Sequence, residues 1–113
     1  MSLLSIWFPL VSNTLTAVDA VTKGDLVMTY TNGAGTATIN TDLIASVSRD
    51  NGANYTAVTL VSQGTTGGHT ILTAHDVTLG GTDTSQMRWK VVTANQVAAS
   101  KTTRIQAVSL GWS

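Results

Sequence analysis

The chain has no cysteine, no glutamate, one proline (Pro9) and only 11% charged residues in a length of 113. Without cysteine there is no disulfide framework, no thiolate metal site and no cysteine nucleophile, so stability must come from packing and hydrogen bonds. Without glutamate, the paired carboxylates of glycoside hydrolysis would have to be supplied by aspartate alone. A helical surface also loses one of its better formers. An excess of charge of one sign is missing as well, since six Lys and Arg balance six acids, all aspartate, for a net charge of +0. No basic block is present to neutralise phosphates or grip an anionic bilayer, so neither nucleic acid nor membrane is an expected partner. The densest apolar run, Met1 to Val11, reaches about half of the ~20 residues that a membrane span requires.

Threonine, by contrast, is abundant: it occurs 20 times, with Ser 10 and Gly 10, in a chain that is 42% hydrophobic. Threonine and valine favour the pleated, half-buried surface of a sheet. That hydrophobic content with so little charge is also far from the composition of a disordered chain. One domain is expected at this length.

The leader contains Leu3, Leu4, Ile6, Trp7, Phe8 and Leu10. A secretory signal fits it badly, because no Lys or Arg precedes Lys23 and Pro9 interrupts the apolar core. Two readings remain, an edge strand tucked into the domain's own core or an arm that buries itself on another chain. The expected division is an N-terminal arm over residues 1–22 and a β-sandwich domain over 23–113. Beyond the leader the period is that of strands. Strands are expected over Asp25–Thr31, Thr36–Ile39, Leu43–Ser48, Tyr55–Val61, Thr70–Thr73, Asp76–Leu79, Gln86–Thr93 and Thr103–Trp112. Leu43, Ala45 and Val47 share one face, as do Met87, Trp89 and Val91, while Arg88, Lys90 and Val92 share the opposite one. In the last strand Ile105, Ala107, Val108 and Leu110 are the inward candidates. Asp50-Asn51-Gly52 reads as a hairpin turn, where Asn and Gly tolerate positive φ. Gln63–His69 and Gly80–Ser85 read as Gly-rich loops. The fold expected is all-β, an antiparallel β-sandwich of about seven or eight short strands, Greek-key or jelly-roll-like, with an apolar N-terminal arm.

Catalytic and metal chemistry find little support in the residues. His69 and His75 are the only histidines, with Asp76 beside the second, and the other acids lie scattered at turns. No metal site is expected from them, because three or four converging ligands are needed. No Gly-x-Ser-x-Gly elbow occurs for a hydrolytic serine. Gly64–Gly68 and Gly80-Gly81 lack the cation and helix N-terminus of a phosphate cradle. No catalytic residue, cofactor or metal is therefore assigned, and the expectation is a protein that is not an enzyme. Trp89 follows core alternation, which leaves Tyr55 as the surface aromatic and Tyr55 with His69 as the residues of a candidate ligand loop.

Four runs carry a family resemblance: TDLIASVSRDNGANYTAVTL (Thr41–Leu60), GGHTILTAHDVTL (Gly67–Leu79), MRWKVVT (Met87–Thr93) and TRIQAVSLGWS (Thr103–Ser113). Together, over residues 24–113, they resemble a β-rich module of virion structural proteins in tailed bacteriophages, of the tail-fibre C-terminal or capsid accessory type. Asn51 stands where that module often has Gly. An apolar arm stands where a fibrous shaft would be, which favours a small accessory protein. The resemblance implies a virion location and a capsid decoration (cement) protein bridging subunits of the major capsid protein. Its assembly interface would be Leu3, Leu4, Ile6, Trp7, Phe8 and Leu10, and the chain would form a homo-oligomer, with a trimer favoured. The alternative is a tail-fibre tip or receptor-binding knob that recognises host surface glycans.

Overall fold

A computed structural model describes residues 6–97 and 100–113, with residues 6–8 described by their backbone alone. Nine strands form, in the order β1 Ile6–Val11, β2 Leu15–Thr16, β3 Lys23–Asn32, β4 Leu43–Ser48, β5 Thr56–Val58, β6 Val61–Thr66, β7 His69–Thr78, β8 Gln86–Gln96 and β9 Thr103–Trp112. One sheet is ordered β1-β8-β4-β5, with β2 added beside β8, and the other β6-β7-β3-β9. All named pairs are antiparallel, and the two sheets pack as a β-sandwich.

Side-chain alternation builds the core. Leu26, Met28 and Tyr30 of β3 face Leu43, Ala45 and Val47 of β4, Leu72 and Ala74 of β7, and Met87 and Val91 of β8. Apolar residues two apart on a strand point the same way, so a period of two converts directly into one buried face. Trp89 is half-buried against this cluster. Val92, expected outside, is buried along with Val91, Thr93 and Ala94.

The strand boundaries differ from expectation where one chain segment serves both sheets. Tyr55–Val61 is not one strand: β5 belongs to the first sheet, and the chain crosses at Thr59-Leu60 to begin β6 in the second. Asn40 pins this crossing, its Oδ1 accepting from Leu60 N at 2.9 Å and its Nδ2 donating to Leu60 O at 3.0 Å. The segment expected as a loop at Gln63–His69 is mostly strand, turning only at Gly67-Gly68, whose φ values of 55° and 82° suit a tight hairpin that glycine enters without strain. The two strands expected at Thr70–Thr73 and Asp76–Leu79 are one, β7 over His69–Thr78, and Thr36–Ile39 contributes only an isolated bridge at Ile39. Bulges shift the phase elsewhere. Thr29 pairs with Ala107 but Tyr30 pairs with Ile105, which leaves Gln106 as an extra residue. Ile105, Val108 and Leu110 therefore lean on the core and Ala107 is exposed, against the inward position expected for it.

Two buried aspartates tie the ends of the sandwich. Asp42 Oδ2 accepts from Lys101 Nζ at 2.8 Å and Thr38 N at 2.7 Å, and Oδ1 accepts from Asn95 Nδ2 at 2.8 Å. At the other end Asp50 Oδ1 accepts from Ser48 Oγ at 2.7 Å and from Asn54 N at 2.8 Å. The Asn51-Gly52 turn beside it has φ of 59° and 88°, as the sequence predicts. The Lys101 hydrogen bond first, then the Thr38 amide, holds Asp42 down at about 2, and the Ser48 hydroxyl with the Asn54 amide holds Asp50 at about 2. A carboxylate whose pKa is depressed by folding stabilises the fold above its unfolded value near 4 and ceases to as pH falls toward the folded value. Chemical denaturation should therefore show stability falling between about pH 4 and pH 2. Asp42→Asn should flatten that slope and cost about 3 kcal/mol at neutral pH by leaving Lys101 without its partner.

Candidate assembly surface

Residues 6–11 of the apolar leader are part of the first sheet. Phe8, Pro9, Leu10 and Val11 pair with Thr93, Val92, Val91 and Lys90 of β8, and Leu15 and Thr16 continue the line opposite Met87 and Gln86. Ala17 and Val21 then enter the core. Of the two readings of the leader, the described residues 6–11 take that of an edge strand. The physical reason is β8, whose outer row of N–H and C=O groups needs a partner that an extended apolar strand supplies.

Polar contacts lock the strip in register. Ser12 N donates to Trp89 O at 3.0 Å, and Trp89 N donates to Ser12 Oγ at 3.0 Å. Arg88 donates to Ser12 O at 3.1 Å and to Asn51 Oδ1 at 2.9 Å, and Thr14 Oγ1 donates to the same Asn51 oxygen at 2.7 Å. Arg49 anchors the following segment, donating to the carbonyls of Val21, Gly80 and Gly81 at 2.6, 2.9 and 2.9 Å.

Held this way, the leader presents an apolar margin: Leu10, Val11 and Leu15 are 48%, 45% and 40% exposed. Of the interface residues expected from the sequence, Leu3 and Leu4 lie outside the described residues, as do the side chains of Ile6, Trp7 and Phe8. Val11 and Leu15, which the sequence reading did not include, are exposed on the same edge: Leu10 and Leu15 lie opposite Val91 and Met87 on one face of the sheet, and Val11 lies opposite Lys90 on the other. A cleft of about 350 Å³ lined by Thr16, Val18, Asp19, Ala20, Trp112 and Ser113 adjoins the margin and brings β2 beside the end of β9.

The two residues of the candidate ligand loop do not meet. His69 opens β7 at the Gly67-Gly68 hairpin, whereas Thr56, next to Tyr55, accepts from Gly80 N beyond the far end of β7. Tyr55 is half-buried with Lys90 Nζ 4.3 Å from its ring centroid, a cation-π contact that occupies one face. The Nδ1 of His69 is buried and has no hydrogen-bond partner among the described residues.

A cluster that sequence reasoning missed joins Asp25, His75 and Asp76. Opposite the single residue Asp25, β7 supplies two, His75 and Asp76, and Asp76 adopts φ 51°. This bulge brings Asp25 Oδ1 within 2.7 Å of both His75 Nδ1 and Asp76 N, with Asp76 Oδ2 3.6 Å from His75 Nε2. The donor set suits a borderline divalent cation. The same Asp25 oxygen already accepts from Asp76 N and lies against His75 Nδ1, and His75 is largely solvent-exposed. No sequence signal reaches across the 50-residue gap between Asp25 and His75, since strand register alone sets their distance.

Comparison with known protein families, with curated proteins and with solved structures finds no match to this chain.

Replacing Arg88 with Met should release the hold on Ser12 and Asn51 at a cost of about 2 kcal/mol, since both lost bonds have a charged donor. Denaturant titration checks the cost. Faster amide exchange at Ser12–Thr16 than at the buried β3 strand should accompany it.

Proposed function

We propose that this protein is a non-enzymatic structural component of a tailed-phage virion, acting as a capsid decoration (cement) subunit that bridges neighbouring major capsid proteins and associates with its own copies. The observation that carries the reading is the apolar margin of Leu10, Val11 and Leu15 on a strand fixed to the sheet. The motif resemblance over residues 24–113 supplies the virion context. Side chains carried on a strand already hydrogen-bonded to its neighbour lose little backbone entropy on docking, so burial there converts efficiently into binding. Each of these side chains contributes about 1 kcal/mol if its remaining exposed area is covered, a modest contact that repetition over a particle multiplies.

The tail-fibre alternative asks for an open aromatic loop that meets glycans. Tyr55 with one ring face already under Lys90 is poorly suited to stacking on a sugar.

Two measurements test the reading. Quantitative mass spectrometry of purified virions should count copies comparable with the major capsid protein, and a handful per particle would overturn the cement assignment in favour of the tail. The double variant Leu10→Ser/Val11→Ser changes only exposed side chains, so it should keep the wild-type melting temperature within a few degrees while particle occupancy falls roughly tenfold. Deleting residues 1–11 is a poorer probe, because it also uncovers the edge of β8.

A further inference from the structure

Exposed sheet edges invite pairing, and natural folds blunt them with bulges, proline, charge or brevity. Three of the margins here are blunted. Strand β1 carries Pro9 and a register shift, β5 has three residues, and β6 is interrupted by a bulge at Gln63-Gly64. Strand β9 is different. It is ten residues long, has no proline, carries Arg104 as its one charge, and runs in unbroken register from Ala107 to Trp112. Among the described residues it pairs with β3 alone.

The hydrogen-bond phase tells which groups face outward. Lys23 and Ser113 exchange both backbone bonds, each at 3.0 Å. Alternation along an antiparallel ladder then makes Asp25 with Gly111, Val27 with Ser109 and Thr29 with Ala107 the bonded pairs. The N–H and C=O groups of Val108, Leu110 and Trp112 consequently point to the open side. These three residues also carry large apolar side chains that remain only half-buried against the core.

The geometry points to a homotypic contact in which two copies of this chain pair antiparallel along β9, centred on Leu110. In that register Leu110 lies opposite Leu110 of the second copy and Val108 opposite Trp112. About six backbone hydrogen bonds form and two four-stranded sheets become one. Val108, Leu110 and Trp112 then each meet another of these half-buried side chains on the core side, while Ile105 lies outside the paired stretch. On the outer side Ser109 meets Gly111, where no bulk obstructs the approach. Arg104 falls outside the paired stretch, so no like charges face each other. Self-pairing about a two-fold axis satisfies length, polarity and charge at once, and this selects a second copy as the occupant. The cleft shared by Thr16 and Trp112 makes the β9 edge continuous with the apolar margin of β2.

The inference specifies the self-association in the reading above and does not depend on a particle. Mass in solution reports the one and particle occupancy the other, so either can fail alone. Sedimentation equilibrium of the full chain over a concentration series should give twice the chain mass. Leu110→Pro removes an N–H that β3 does not use, and Ser109→Lys places like charges across the axis. Each should weaken the dimer roughly tenfold or more. Because the wild-type chain has no cysteine, L110C should form a disulfide-linked dimer on mild oxidation, whereas Q63C on the β6 edge should not. A wild-type chain that stays monomeric at every concentration would overturn the contact, as would a dimer unmoved by both edge variants. Preferential cross-linking through Q63C would overturn it too.

Discussion

The architecture depends on keeping β8 paired on both sides. It is the longest strand, it joins the leader to β4, and its buried stretch Val91–Ala94 has polar backbone groups that water cannot satisfy. A strand in that position without a second neighbour would leave a row of donors and acceptors unmet, at a cost comparable with many core contacts. The leader meets this need, and in doing so it becomes the margin of the sheet. Ser12, Arg88 and Asn51 then hold the strip so that its apolar side chains emerge at a constant edge.

The ends of the sandwich are held by ionised groups of unusual economy. With only six acids in the chain, two are buried, and each accepts several hydrogen bonds. Asp42 gathers the β3–β4 loop, the β8 bulge at Asn95 and Lys101 of the β8–β9 connection. Asp50 closes its own hairpin. Such carboxylates are stable when charged because every oxygen is engaged, and removing one partner leaves a desolvated charge unmet. Arg49 plays the complementary part among carbonyls.

The two surfaces proposed for contact with other molecules lie on strands rather than loops. The β1–β2 margin carries exposed apolar side chains, Leu10 and Leu15 on one face and Val11 on the other, whereas the β9 edge is a line of backbone groups backed by half-covered apolar ones. The first suits a contoured apolar partner and the second an extended strand in fixed register. Strands that carry their contact groups in this way lose little backbone freedom on binding.

The sequence by itself determined the class of fold and much of its core, because alternation is local. Leu43, Ala45 and Val47 could be placed on one face from spacing alone, and Asn51-Gly52 could be placed in a turn from the conformations those residues tolerate. The last strand shows the limit of that logic, since one extra residue at Gln106 reverses the phase and sends Ala107 outward. Spacing could not divide Tyr55–Val61 between two sheets, bring Asp25 to His75, or choose between an arm and an edge strand for the leader. Those outcomes were decided by the tertiary structure, because each depends on which distant backbone offers unpaired groups at the right distance. That is a property of pairing and register, and no local run of residues contains it.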